Sequence, residues 1–269
     1  RGVRVARARG SRAGGRAVID ARRIEEAGLN ALQTQRQLFY DGWLLRLSPG
    51  KAKRGRSVNP HFGSTLPLDV KIGRCEELYG ERELPALFRV TPFSRPPELV
   101  PALEARGYRR FDPTLVQAAA LDGAAIPLRQ VQDVAVVETG VAAFVDAVAD
   151  LRGSPGVQRE AHRERLAQSP LDARYAVAQV DGIAVGAAKV AREGDIVGVF
   201  DVVTAVSHQG RGIATMLVAR LLARAWERGA RVAYLQVDAG NAPAIAVYRR
   251  FGFSTLYEYV YFGRDGECR

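Results

Sequence analysis

Apolar positions change their spacing several times along the chain, and each change marks an element. From residue 21 to about 39, Ile24, Ala27, Leu29, Leu32 and Leu38 recur between charged residues. That spacing predicts a helix, which Asp41-Gly42 breaks. Trp43-Leu44-Leu45-Arg46-Leu47 reads as a strand, Ser48-Pro49-Gly50 as a turn, and Val58-Asn59-Pro60 as the return of a hairpin. Leu68, Ile72, Cys75 and Leu78 set a helix over about 66–79. A short strand at 86–90, a helix at 96–105 opened by prolines and stopped by Gly107, and an extended stretch at 108–121 complete this half.

The pattern restarts near residue 130. A strand at 133–137 precedes helices at 141–151 and 157–167, split by Gly153-Ser154-Pro155-Gly156. Three strands follow, at 174–180, 183–190 and 196–205. Asp181-Gly182 joins the first two as a hairpin, and Glu193-Gly194-Asp195 joins the next. A helix to about 228, with apolar Ile213, Met216, Leu217, Leu221 and Leu222, stops at Gly229. A strand at 232–237, a helix capped by Asn241 with Pro243 in its first turn, and a strand at 253–262 end the pattern. The second half therefore reads β-α-α-β-β-β-α-β-α-β.

The chemistry concentrates where the strand Val202-Val203-Thr204 runs through Gln209-Gly210-Arg211-Gly212 into a helix. A helix N-terminus presents free N–H groups and partial positive charge, and so binds phosphate-like anions. Glycine lets a ligand approach such a backbone closely. Neither familiar nucleotide motif fits: Thr215 stands where G-x-G-x-x-G needs its third glycine, and no Gly-Lys-Ser/Thr follows. Gln209, Gly212 and Ala214 do give Gln-x-x-Gly-x-Ala, and Asn241, Ala244, Tyr248, Gly252 and Phe253 give Asn-x-x-Ala-x-x-x-Tyr-x-x-x-Gly-Phe.

These motifs, on these elements and in this order, resemble the acyl-CoA site of GNAT N-acetyltransferases over roughly residues 131–262. The resemblance implies an α/β (α+β) fold, with a mixed, mostly antiparallel sheet flanked by helices. It also implies acetyl transfer from acetyl-CoA, as co-substrate, to a primary amine in a ternary complex. Cofactor-binding residues by this resemblance are Val202, Val203, Thr204, Gln209, Gly210, Arg211, Gly212, Ile213, Ala214, Thr215, Asn241 and Ala244. The loop amides suit the pyrophosphate, and strand 202–204, splaying from its neighbour near 235–237, suits the pantetheine. Tyr248 matches the family's general acid for the leaving thiolate. Some members carry a glutamate five residues before the Asn as base; here Gln236 stands there and cannot take the proton. Asp201 is the candidate base, ahead of Glu138 and Asp238, and His208 reads as a surface residue. A non-catalytic acyl-CoA sensor is the alternative function.

The first half has no glycine loop, and the chain resembles two-unit GNAT proteins with one working site. The expected domains are an arm at 1–20, a degenerate GNAT-like, substrate-side unit at 21–129, the catalytic unit at 130–263 and a tail at 264–269. Trp43, Arg46, Arg56 and Asn59 are candidate cleft residues.

Charge alters little in this picture. The net +10 is concentrated in eight arginines of the first 23 residues, opposed there by Asp20, so no nucleic-acid surface is expected on the folded part. Arginine exceeds lysine in the manner of genome composition bias. Hydrophobic residues make up 47%, enough for a core. No apolar run is long enough for a membrane span and no signal-peptide core is visible, so a cytoplasmic protein is expected. Cys75 and Cys268 have no metal spacing, and His61, His162 and His208 form no cluster, so no metal is expected. The expected partners are acetyl-CoA and an amine, with a homodimer admissible.

Overall fold

The computed structural model describes residues 19–32, 34, 36–48 and 52–264. The expected arm, apart from residues 19 and 20, the tail beyond Arg264, Pro49, Gly50, Lys51 and Cys268 lie outside them. In chain order the elements are α1 (Ala21–Asn30), β1 (Gln37–Tyr40), β2 (Trp43–Arg46), β3 (Ser57–Pro60), α2 (Leu68–Gly80), β4 (Leu87–Val90), α3 (Leu99–Ala105) and β5 (Arg109–Ala120). There follow β6 (Ala135–Thr139), α4 (Val141–Arg152), α5 (Gly156–Ala167), β7 (Asp172–Val180), β8 (Ile183–Glu193) and β9 (Ile196–Thr204). The last are α6 (Ile213–Glu227), β10 (Val232–Asp238), α7 (Ala242–Arg249) and β11 (Ser254–Gly263). This is a mixed α/β fold, mostly antiparallel, with flanking helices.

The chain divides into two compact units. Among the described residues, unit 1 comprises 32–115 and 257–264, and unit 2 comprises 19–31 and 116–256. The boundary thus differs from the one expected at 129/130. Residues 19–31 and 116–129 go with unit 2, and the second half of β11 goes with unit 1.

In unit 1, β1 and β2 form an antiparallel hairpin, β3 pairs antiparallel to β2, β4 parallel to β3, and β11 antiparallel to β4. The helix expected over 21–39 stops at Asn30, and Leu38 and Phe39 belong to β1. Asp41 (φ +42°) and Gly42 (φ +82°) turn the chain through a two-residue hairpin loop with both residues left-handed, the geometry that matches strand twist. Alternation places Trp43, Leu45, Val58, Phe88 and Phe262 in a core with α2 and α3. Trp43 is fully buried, and its Nε1 donates to the Arg95 carbonyl at 2.9 Å. Arg46 and Asn59 stand on the opposite face, also buried; Arg56 is half-buried. Lys71 is buried under the Trp43 ring, 4.0 Å from its centroid and 3.2 Å from Asp41 Oδ2.

Unit 2 is a meander of β6, β7, β8 and β9, all antiparallel, continued by β10 parallel to β9. Its two faces are occupied differently. Gly186 on β8 abuts Ile213 and Leu217 of α6. Its neighbour Ala187 points the other way, into a core with Phe144 of α4, Leu166 of α5, Tyr175 and Val177. α1 lies over Tyr234 and Gln236, beside its Gly28. Asp20 caps α1, accepting from the Arg22 amide at 2.8 Å, and Arg23 and Asn30 tie the helix to Asp195 and Glu193. These contacts are why a segment expected with the first half belongs to unit 2.

Candidate active site

The site begins where a ladder ends. β9 and β10 pair from Ile196↔Val232 to Val199↔Leu235, yet β9 continues to Thr204 and β10 to Asp238. Beyond Val199 the edge of β9 that faced β10 carries no strand partner among the described residues. On its other edge the register with β8 shifts between Ala187 and Lys189, so Ala188 opposes both Asp201 and Val202. This is a β-bulge, and Asp201 adopts φ +51° within it. A non-glycine residue held left-handed inside a strand is strained, a condition that clusters at functional sites.

Because β9 and β10 are parallel, their C-terminal ends share one edge of the sheet, as do the turns that leave them. After Thr204 the chain makes a short 3-10 turn at Val206–His208, then Gly210 (φ +76°) and Gly212 (φ +88°) redirect it into α6. Both glycines are in the left-handed region that a Cβ disfavours. Gln209 Nε2 reaches the Thr204 carbonyl across the loop at 3.5 Å. Gly212 is the N-cap of α6 and no side chain caps it. The amides of residues 210–215 make no hydrogen bond to other backbone groups among the described residues, as expected for a helix start awaiting an acceptor. Ile213 and Thr215 are buried and anchor the first turn, while Gly210 and Arg211 are exposed.

Sequence reasoning missed Arg129. Its guanidinium carbon lies 3.6 Å from where a Cβ on Gly212 would stand, adding a cation to the loop. No motif marks it, because it comes from an irregular connection between strands.

On the β10 side, Asn241 caps α7 and accepts the Ala244 amide at 3.1 Å. Tyr248 lies about two turns on, buried, with its ring edge-on to Phe253 at 6.0 Å. Burial pushes its phenol up to about 12, so it stays a proton donor at any physiological pH. Gln236 lies under α1, its Nε2 2.8 Å from where a Cβ on Gly28 would stand.

Residues 145–253, from within α4 to the residue before β11, match the acetyltransferase (GNAT) family model. The chain carries a GNAT domain. The chain is 24% identical over 263 residues to the uncharacterised N-acetyltransferase YobR of Bacillus subtilis, covering 90% of this chain and 98% of that protein. A 54-residue stretch, 20% of this chain and 29% of that one, is 44% identical to streptothricin acetyltransferase of Streptomyces lavendulae. The fold is similar to a GCN5-related N-acetyltransferase from Kribbella flavida (TM-score 0.67, 18% identity, 91% of this chain and 95% of that one). It is also similar to a tandem GNAT protein from the clavulanic acid pathway (TM-score 0.58, 18% identity, 72% and 68%). The matched residues lie within unit 2, in the C-terminal half of a two-unit chain, as the resemblance implied.

Glu138 is 3.5 Å from Arg224 Nε, and Asp238 Oδ1 accepts the Gly240 amide at 2.7 Å. His208 Nδ1 is 2.9 Å from Ser207 Oγ in the exposed turn. Asp201 is surrounded by basic side chains: Arg152 Nη1 at 3.3 Å, His162 Nε2 at 3.3 Å and Lys189 Nζ at 3.6 Å. Burial raises its carboxyl, but the His162 contact and the Lys189 and Arg152 charges outweigh burial and hold it well below the carboxylate range. A carboxylate so held is a poor proton acceptor near neutral pH. Among the described residues, no cluster of three or more His, Cys, Asp or Glu could hold a metal, and no helix is long and apolar enough to cross a membrane.

Proposed function

We propose that the GNAT domain transfers the acetyl group of acetyl-CoA to a primary amine by direct attack in a ternary complex. The observation that carries this reading is the open edge of β9 beyond Val199, leading straight into the uncapped start of α6. The amides of residues 210–215, with Arg211 and Arg129, suit a pyrophosphate. The edge of residues 202–204 suits the pantetheine amides, which would pair with it as an added strand. An amide left unmatched by the bulge at Asp201 and Val202 polarises the thioester carbonyl and stabilises the oxyanion. Asn241 holds the helix start beside the thiol end. Tyr248 protonates the departing thiolate.

The test is incubation with acetyl-CoA and a panel of small amines, amino acids, polyamines and peptides, following release of free thiol. Thiol release matched by acetylated amine supports the reading. Tight acetyl-CoA binding with no acceptor turned over would replace it with an acyl-CoA sensor.

A further inference from the structure

We propose that His162 on α5 is the proton acceptor for the amine, with Asp201 as the residue that positions it. This inference rests on the acetyl-transfer reading above and supplies the base which that reading lacks at Gln236.

If the pyrophosphate sits at residues 210–215 and the pantetheine runs back along residues 204–202, three residues of strand cover about 10 Å at roughly 3.3 Å each. The thioester then arrives at the bulge, at Asp201. Asp201 turns toward the sheet face covered by α4 and α5, the face that also carries Tyr175 and Lys189. His162 comes down on it from α5.

Only 12% of the His162 side chain is exposed, and Nε2 contributes none of that exposure. Nε2 stands 3.3 Å from Asp201 Oδ2, within reach of the carboxylate's charge though not aligned on it as a hydrogen bond. A carboxylate beside one ring nitrogen selects the tautomer with its proton there and leaves the lone pair on the other. That other atom, Nδ1, makes no hydrogen bond among the described residues. A carboxylate that orients an imidazole and stabilises the imidazolium it becomes is the arrangement by which histidine acts as a base elsewhere.

Facing Asp201 are Arg152 from the end of α4, His162 from α5, Tyr175 from β7 and Lys189 from β8; α1 adds the buried Glu25 on the same side of unit 2. Arginine and lysine are charged near neutral pH, whereas an imidazole exchanges its proton there. Two fixed cations already neutralise Asp201, so the carboxylate serves to orient and not to accept. The bulge and the left-handed Asp201 are what bring its side chain to α5.

In the proposed step the neutral amine attacks the thioester carbon. The proton on the attacking nitrogen passes to Nδ1 as the C–N bond forms, the C–S bond breaks, and the thiolate takes its proton from Tyr248. His162 then loses its proton to solvent and Tyr248 regains one, leaving acetylated amine and CoA thiol.

The experiment compares the wild-type chain with H162Q, H162A and D201N, using the best acceptor from the amine panel. Acetyl-CoA binding by calorimetry shows whether each variant remains folded around its co-substrate. For H162Q, kcat/KM is expected to fall about 10²-fold or more, the ordinary contribution of a general base, with acetyl-CoA affinity unchanged. The acidic limb of the pH–rate profile should disappear with it. Added imidazole should restore turnover to H162A, following the protonation of the added base. D201N should retain acetyl-CoA binding and move the acidic limb. A wild-type profile and kcat/KM in H162Q overturn the proposal and leave acetyl transfer standing, as does H162A binding acetyl-CoA without response to imidazole. A wild-type chain that acetylates no amine overturns both.

Discussion

A Cβ on Gly186 of β8 would stand 2.8 Å from the Cγ2 of Ile213, the first residue of α6. The absent side chain lets the start of α6 press onto the sheet, and so fixes where the loop amides point. Gly186→Ala is expected to push α6 outward. Overpacking of this kind costs about 1–3 kcal/mol. Thermal unfolding should report that loss, and calorimetry should report weaker acetyl-CoA binding. Unchanged affinity would show that α6 placement does not govern the loop.

Gly212 tests the loop directly. At φ +88° an alanine costs about 1–2 kcal/mol, and relief of that strain would rotate the amides that follow. Gly212→Ala should raise the KM for acetyl-CoA about tenfold with a smaller change in kcat. A fall in kcat alone would place the glycine's role away from co-substrate binding.

Tyr248→Phe removes the hydroxyl and leaves the edge-on contact with Phe253. Turnover is expected to fall about 10²-fold with acetyl-CoA affinity intact. Because the phenol titrates at about 12, the wild-type rate should show no alkaline decline attributable to Tyr248 below about pH 10. Full turnover in Tyr248→Phe at every pH would end its assignment as the acid.

Asp41 gives unit 1 an acid-sensitive point. The Leu66 and Thr65 amides, the Thr65 hydroxyl and Lys71 bind its carboxylate and hold its pKa far below the ordinary value. A depressed folded pKa contributes stability above the unfolded value, about 4, that is lost as pH falls below it. Asp41→Asn should therefore lower stability at pH 7 and flatten its loss between about pH 4 and pH 2, measured by urea unfolding. Parallel curves for wild type and variant would remove Asp41 from the acid response.

Much of this was legible in the sequence, for reasons visible at particular residues. Asp181-Gly182 reads as a hairpin because two left-handed residues suit that dipeptide, and its φ values are +48° and +79°. Asp41-Gly42 adopts the same turn, but the helical spacing before it hid β1. Leu38 and Phe39 fit both periods, and only pairing with Leu45 and Leu44 decides between them. The glycine loop and Asn241 announce themselves because local backbone demands fix their types, and Tyr248 by its spacing from Asn241 in the motif. His162 and Arg129 do not. A histidine midway along a polar helix and an arginine in a connection take their meaning from what the fold brings beside them. The bulge at Asp201 is likewise set by pairing with β8, which no local residue choice encodes.

The unit boundaries bear on how the chain can be cut and made. Residues 257–264 belong to unit 1, although more than a hundred residues of unit 2 separate them from Leu115. During synthesis β4 waits for its partner in β11 until the whole GNAT domain has been translated. A clone beginning at residue 130 would lack α1, whose Gly28 lies against Gln236, and one ending at 129 would leave β4 with an unpaired edge open to aggregation. Neither half is a portable module by a single cut, and a gene fusion that recombined them would have had to keep both crossings.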